Sequence, residues 1–241
     1  GLILLVVVRP RRAVFTRSTF LACVALGIVT ASITLLFMAS FDRIPLGTAT
    51  ALEFLGPLGV AVAQGRGGRR ILWPGLAAVG VVLLTNPWAG TVDPVGVLYA
   101  LIAAVCWGGY ILLTQRVGDG VAGINGLAVS MPVAGIVATL VVGPSVLAKM
   151  TPEILLIGIG LAVLLPVVPF ALEMTALRKL TTAAFGTLMS LEPAFALVVG
   201  IIVLDQIPGA WAVVGICLVV TAGMGAARSG ARQAPVPAEV G

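Results

Sequence analysis

The 241-residue chain is 60% hydrophobic and only 10% charged, whereas ordinary soluble domains carry about 25% charged residues. This composition excludes a soluble globular domain, because such a domain could not bury so much apolar surface. The net charge of +5 does not indicate nucleic-acid binding, since the basic residues lie between apolar stretches and form no basic face of their own.

Apolar stretches of about 20 residues, enough to cross a hydrocarbon core of roughly 30 Å, recur along the chain. Residues 1–8 form a short apolar fragment, which we interpret as the end of a span that is otherwise missing from the N-terminus. Eight full spans then follow at 19–40, 44–64, 71–86, 94–115, 124–143, 153–177, 180–204 and 209–227. The polar, proline-containing residues 228–241 are predicted to form a disordered tail. We therefore expect an all-α membrane protein.

The basic residues indicate the orientation of the spans, because cytoplasmic loops retain an excess of Lys and Arg. Twelve of the fourteen basic residues fall in one set of alternate loops and in the tail, and only Arg43 and Lys149 fall in the other set. This alternation predicts a cytoplasmic C-terminus and supports the number of spans.

An internal repeat is visible when residues 44–61 are laid over residues 180–197, which superimposes Leu55-Gly56-Pro57 on Leu191-Glu192-Pro193. The shift carries the second full span onto the seventh, five spans later, so the second copy is inverted in the membrane. Two five-helix halves predict a ten-helix protein, of which residues 1–86 are the truncated first repeat and residues 94–227 the second.

Three carboxylates, Glu53, Glu173 and Glu192, lie inside predicted spans. An ionisable group at the bilayer centre costs at least about 2.5 kcal/mol and is by default a functional candidate. The alternative is a set of protonated acids that only hold neighbouring helices together. Glu173 lies five residues before Arg178 at a predicted cytoplasmic helix end, where a solvated ion pair would suffice.

Prolines accompany these acids and predict helix breaks. Pro57 and Pro193 follow Glu53 and Glu192, and Pro166 and Pro169 precede Glu173 in another span. Proline removes a backbone donor and frees a carbonyl, and interrupted helices near the midplane commonly build the substrate sites of inverted-repeat transporters. Ordinary packing kinks are the competing interpretation, and a kink is the favoured interpretation for Pro166 and Pro169.

Trp107 and Tyr110 are candidates to line a cavity, because glycines between them would let a ligand approach. Packing is the competing interpretation for both. The absence of histidine removes His-dependent triads and His-ligated metals, and Cys23, Cys106 and Cys217 lie singly in apolar stretches. We find no phosphate-binding loop and no nucleophile elbow. The sequence therefore predicts no cofactor, no metal and no enzymatic activity.

Three segments carry a family resemblance: Glu53-Phe54-Leu55-Gly56-Pro57-Leu58, Leu172-Glu173-Met174-Thr175-Ala176-Leu177-Arg178, and Gly186-Thr187-Leu188-Met189-Ser190-Leu191-Glu192-Pro193-Ala194. They resemble the EamA-type branch of the drug/metabolite transporter superfamily, and within it the threonine/homoserine exporters. The resemblance implies a ten-helix carrier of the bacterial inner membrane that exports amino acids or related metabolites. One departure is Leu204-Asp205-Gln206, where the family tends to have Gly-Glu.

The leading hypothesis is a secondary exporter of amino acids, driven by an ion gradient, with the proton as the expected coupling ion. The alternative is a non-transporting membrane scaffold or an inactive truncated remnant, in which the carboxylates only specify helix packing. An intramembrane enzyme acting on lipids is a third hypothesis. It is disfavoured because an acid pair without histidine, metal ligands or a nucleophile lacks the groups that catalysis usually requires.

Overall fold

The computed structural model describes residues 8–9, 15–64, 72–85, 92–121, 123–146, 150–158, 160–161 and 190–229. Helices and their connecting turns account for these residues, and no strand occurs among them. The longer helices are α1 (Arg17–Phe41), α2 (Leu46–Glu53), α3 (Leu55–Gln64), α4 (Leu72–Thr85), α5 (Pro94–Gly120), α6 (Gly123–Val146), α7 (Glu192–Leu204) and α8 (Ala210–Ser229). The prediction of an all-α membrane protein is confirmed at this level.

Four helical segments are long and apolar enough to cross a bilayer, namely Arg17–Phe41, Pro94–Gly118, Asn125–Val146 and Ala210–Arg228. Three further apolar segments are shorter: Leu46–Val60, Leu72–Thr85 and Glu192–Leu204. The predicted span 44–64 is not one continuous helix but the two helices α2 and α3. Most of the predicted span 153–177, and the first part of 180–204, lie outside the described residues.

Local polar contacts explain where several helices begin and end. The Thr16 hydroxyl accepts a hydrogen bond from the Thr19 N–H at 3.2 Å and caps α1. Asp93 caps α5 in the same way, accepting from the Val95 N–H at 2.8 Å. At the end of α7, Asp205 adopts a left-handed conformation with φ of 52°. The following residue, Gln206, then donates its N–H to the Gly200 carbonyl at 3.0 Å, which satisfies one of the free carbonyls at the end of the helix.

The helices pack in a few close pairs. α1 lies against α5 and α6, α4 lies against α8, and α2 lies against α7, while α2 and α3 both contact α5. Small residues allow the closest approaches: Gly27 of α1 faces the carbonyl of Ser130 in α6, and Gly80 of α4 faces Gly215 of α8. These glycines let the two helix pairs approach closely, and clusters of buried apolar side chains fill the rest of the helix contacts.

Large apolar side chains also cover the outside of the bundle. Val105, Leu140 and Ile202 are each more than 70% exposed, as expected for helices whose outer faces meet lipid tails rather than water. The ends of the bundle carry the polar contacts. Arg43, between α1 and α2, forms an ion pair with Asp93 at 2.9 Å, and its guanidinium also lies 5.9 Å from the centre of the Tyr99 ring.

Candidate functional site

The break between α2 and α3 has a local chemical cause. Pro57 has no N–H to donate to the carbonyl four residues earlier, which belongs to Glu53. The neighbouring bonds survive, since the Phe54 N–H donates to Thr50 at 2.9 Å and the Leu58 N–H donates to Phe54 at 3.2 Å. The interruption is thus confined to one residue, and Glu53 is the last residue of α2.

Glu53 lies deep in the protein, with only 6% of its surface exposed. Its neighbours in the chain, Leu52 and Phe54, are also buried. Within the described part of the chain its carboxylate makes no hydrogen bond. A carboxyl group in such a place requires a proton, a cation or a partner to compensate its charge.

Glu192 is the residue that the predicted internal repeat places near the position of Glu53. It is the first residue of α7, is followed by Pro193 in the first turn, and is partly buried. Its Oε2 atom is inaccessible and finds no hydrogen-bond partner among the described residues. Proline in the first turn is tolerated because its missing donor would be free there in any case.

The structure brings these two glutamates together. α2 packs against α7, and the two carboxylates are near enough to interact electrostatically. Two negative charges in a site of low dielectric constant repel each other strongly, so a proton or a cation between them is favoured. The arrangement can therefore bind an ammonium group or carry a proton.

Phe54 links the glutamate pair to two other helices. Its ring meets Trp107 of α5 edge to face, with centroids 6.5 Å apart and an interplanar angle of 83°. On its other side the ring lies against Gly223 of α8, which also lies next to Ser190. Trp107 therefore contacts Phe54, the residue that directly follows Glu53.

Gly56 sets the distance between α3 and α5. A β-carbon added at Gly56 would overlap the carbonyl oxygen of Ala104 and lie 3.1 Å from the nitrogen of Gly108. Only glycine permits this approach of the two backbones. The close approach holds Phe54 against α5, and with it the turn that follows Glu53.

Other residues that the sequence selected lie elsewhere. Tyr110 packs against a buried cluster between α5 and α1, formed by Ala22, Cys23, Leu26 and Val117. Glu173, Pro166 and Pro169 lie outside the described residues. Within the described chain, no group of three or more His, Cys, Asp or Glu side chains could hold a metal ion.

Two contributors to this region were not selected from the sequence. Phe54 lay within a family-like motif but carried no signal for a contact with α5 and α8. Gln206 was noted only as a departure from the family pattern, yet its Oε1 accepts a hydrogen bond from the Leu46 N–H at 2.9 Å. That bond joins residues 160 positions apart, which no local pattern could predict.

Comparison with known proteins adds independent information. The chain matches the EamA-like transporter family over residues 94–226. The threonine/homoserine exporter RhtA of Salmonella typhimurium LT2 is 35% identical over 231 residues, covering 93% of this chain and 77% of that protein. RhtA of Escherichia coli K12 is 35% identical over 213 residues, covering 85% and 70% respectively. No solved structure matches the chain.

Proposed function

Because the chain belongs to the EamA-like transporter family of the drug/metabolite transporter superfamily, and is a multi-pass membrane transporter rather than an enzyme, we propose that it exports amino acids of the threonine/homoserine type. In this proposal it is a secondary transporter of the bacterial inner membrane that works by alternating access. The similarity to RhtA supports the substrate class, since the RhtA proteins are threonine/homoserine exporters.

The observation that carries the proposal is the carboxylate pair, of which Glu53 is buried and Glu192 is partly buried. Glu53 and Glu192 come from two packed helices, each next to a proline, and they interact electrostatically. An amino acid carries an ammonium group that would relieve their repulsion. A proton can do the same, so substrate and proton would compete for one site. Such competition is the simplest coupling of export to proton entry, and it makes the proton the proposed coupling ion.

Alternating access requires two halves that can rock against each other. The contact between α4 and α8 supports a two-fold relation between such halves. A β-carbon added at Gly80 would lie 2.8 Å from the Gly215 carbonyl oxygen, and one added at Gly215 would lie 2.7 Å from the Gly80 carbonyl oxygen. A contact that reads the same in both directions is what a two-fold relation between halves produces, as proposed for the ten-helix inverted repeat.

The orientation follows the basic residues. We place the C-terminus in the cytoplasm and the Arg43–Asp93 ion pair at the outer end of the bundle. The glutamate pair then lies between the two ends, where a binding site must be reachable from each side in turn. Trp107 is proposed to close one side of the site through its contact with Phe54.

The test changes each glutamate to glutamine in the full-length carrier, since glutamine keeps the size but cannot hold a negative charge. Efflux of labelled threonine and homoserine is measured from cells that express each variant at matched membrane abundance. We expect E53Q or E192Q, or both, to abolish efflux. The matched control is E153Q, because Glu153 lies on a helical segment and is exposed, so its charge needs no compensation.

A pair that only holds helices together would behave differently. Replacing a protonated acid by its amide then alters one hydrogen bond worth about 0.5–1.5 kcal/mol, and efflux would continue. Full transport by E53Q, E192Q and the double variant would remove the pair from the mechanism. Absence of threonine and homoserine efflux in the unmodified carrier would reject the substrate class.

A further inference from the structure

A cleft of about 240 Å³ opens at the end of the bundle that carries the Arg43–Asp93 ion pair. It lies between the start of α2, the end of α4 and the start of α8. Its walls are mostly apolar and include Leu197, Trp211 and Ile216. No Asp, Glu, Lys or Arg lines the cleft. The glutamate pair is not part of it.

The start of α2 presents backbone donors to this cleft. Pro45 precedes the helix without capping it by a side chain, and the Ala49 N–H makes the first intrahelical bond, to the Pro45 carbonyl at 2.9 Å. The Leu46 N–H is used by Gln206. The N–H groups of Gly47 and Thr48 have no acceptor in the described chain, and both residues line the cleft. Free donors at a helix N-terminus favour a negatively charged ligand.

The side chain of Thr48 is a second and independent indication. Thr48 is 4% exposed and lines the cleft, yet its hydroxyl makes no hydrogen bond within the described chain. Thr50, two residues later and equally buried, donates its hydroxyl to the Leu46 carbonyl at 2.9 Å. The Thr48 hydroxyl is therefore a donor and acceptor that is open to a ligand or to water in the cleft.

The cleft has a size that suits a small amino acid. Its volume equals that of about eight water molecules at roughly 30 Å³ each. Apolar walls, the indole of Trp211 and the uncharged lining accept a zwitterion with a short side chain more readily than a highly charged ligand. Gln206 also lines the cleft, so its amide group adds a further polar contact at the N-terminus of α2.

We propose that this cleft is a second substrate station, in which the Gly47 and Thr48 N–H groups and the Thr48 hydroxyl bind the carboxylate of the exported amino acid. The assignment rests on the proposed export function for the identity of the ligand. Thr48 and Glu53 are five residues apart on α2, or about 7.5 Å along its axis at 1.5 Å per residue. The amino and carboxylate groups of an α-amino acid share one carbon atom, so one molecule cannot occupy both stations at once. The acid pair holds the ammonium end, and the cleft then holds the carboxylate end on the way out.

The test uses the full-length carrier with A212C, which places a thiol on the wall of the cleft. Labelling by a membrane-impermeant maleimide is measured in proteoliposomes, relative to the same protein without A212C. The probes are threonine, its carboxyl-free analogue threoninol, and its amine-free analogue 2,3-dihydroxybutyrate. We expect protection by threonine and by the amine-free acid but not by threoninol.

Adding T48V should raise the concentration for half-protection at least about tenfold, because the variant loses a hydrogen bond to a charged carboxylate. T50V is the matched control, because the Thr50 hydroxyl is bonded within its own helix, and it should leave protection unchanged. Equal protection by threoninol, or no effect of T48V, would overturn the proposal. Protection in phosphatidylglycerol vesicles without any probe would also overturn it, since a lipid phosphate would then be the occupant.

Protection by the amine-free acid does not require export, so it separates this station from the export function. If threonine efflux is absent but 2,3-dihydroxybutyrate still protects in a Thr48-dependent manner, the carboxylate site stands and the substrate class fails. If efflux depends on the glutamates but no carboxylate protects A212C, the export function stands and the second station is rejected.

Discussion

Replacing Gly56 by alanine gives a direct test of the helix contact that positions the acid site. The added β-carbon would overlap the Ala104 carbonyl of α5, so α3 and α5 must separate or bend. Inserting a methyl group into a well-packed contact costs about 1–3 kcal/mol. Alanine in a helix is favoured over glycine by about 1 kcal/mol, which offsets part of this cost.

Gly59 provides the matched control on the same helix. A β-carbon at Gly59 meets nothing within 4 Å, so G59A gains the helix propensity without the clash. The difference between the two variants isolates the clash, and G56A should be less stable than G59A by about 1–3 kcal/mol. At about 2–4 °C per kcal/mol for a protein of this size, the melting temperature of G56A should lie below that of G59A by several degrees.

The assay is thermal unfolding of the detergent-solubilised full-length protein, followed by size-exclusion chromatography, together with threonine efflux at matched abundance. We expect G56A to lower both stability and efflux, because moving α3 shifts Phe54 away from Trp107. Equal melting temperatures for G56A and G59A would show that α3 and α5 do not approach as described.

The remaining predictions concern topology and an exposed ion pair. A reporter fused after Gly68 or Arg178 should register as cytoplasmic, and one fused near Asp93 or Lys149 as external; cytoplasmic labelling of both of the latter would refute the orientation. The hydrogen bond from Arg43 lowers the pKa of Asp93 below its ordinary value of 3.8, with a further contribution from the Val95 N–H. The stabilisation is thus complete above that ordinary value and is lost as pH falls through the lowered pKa. D93N keeps a good helix cap, so its melting temperature should fall below that of the parent near neutral pH and meet it in acid, while a gap that persists in acid would contradict the argument.

Much of the fold could be predicted from local sequence. Continuous apolar stretches specified the helices α1, α5, α6 and α8 within a few residues, because a lipid-embedded backbone must satisfy its own hydrogen bonds. The interruption near Glu53 was also expected from Pro57, although its position at Phe54 follows from which carbonyl loses its donor. The ends of the helices were less certain, since caps such as Asp93 depend on single side chains.

The candidate site was only partly predictable. Glu53 and Glu192 stood out because a carboxylate inside a span is costly, and the repeat suggested that they belong together. Tyr110 was selected on equal grounds with Trp107, and the structure separates them because the two side chains leave α5 toward different neighbours. A glycine-flanked aromatic motif does not say which helix each ring will meet.

The sequence alone determined that this is a helical membrane protein, and which acids and prolines are costly enough to need an explanation. These properties depend on the bilayer as solvent and on bonds between residues four apart, so they can be read from neighbouring residues. Only the tertiary structure decided that α2 lies against α7, that Phe54 lies between α5 and α8, and that Gln206 takes one donor at the start of α2 while Thr48 remains free. Those contacts depend on how helices that are distant in sequence pack, and one glycine or one hydrogen bond can select the arrangement. Helices with apolar surfaces all round carry no polar pattern that would reveal which helix they contact.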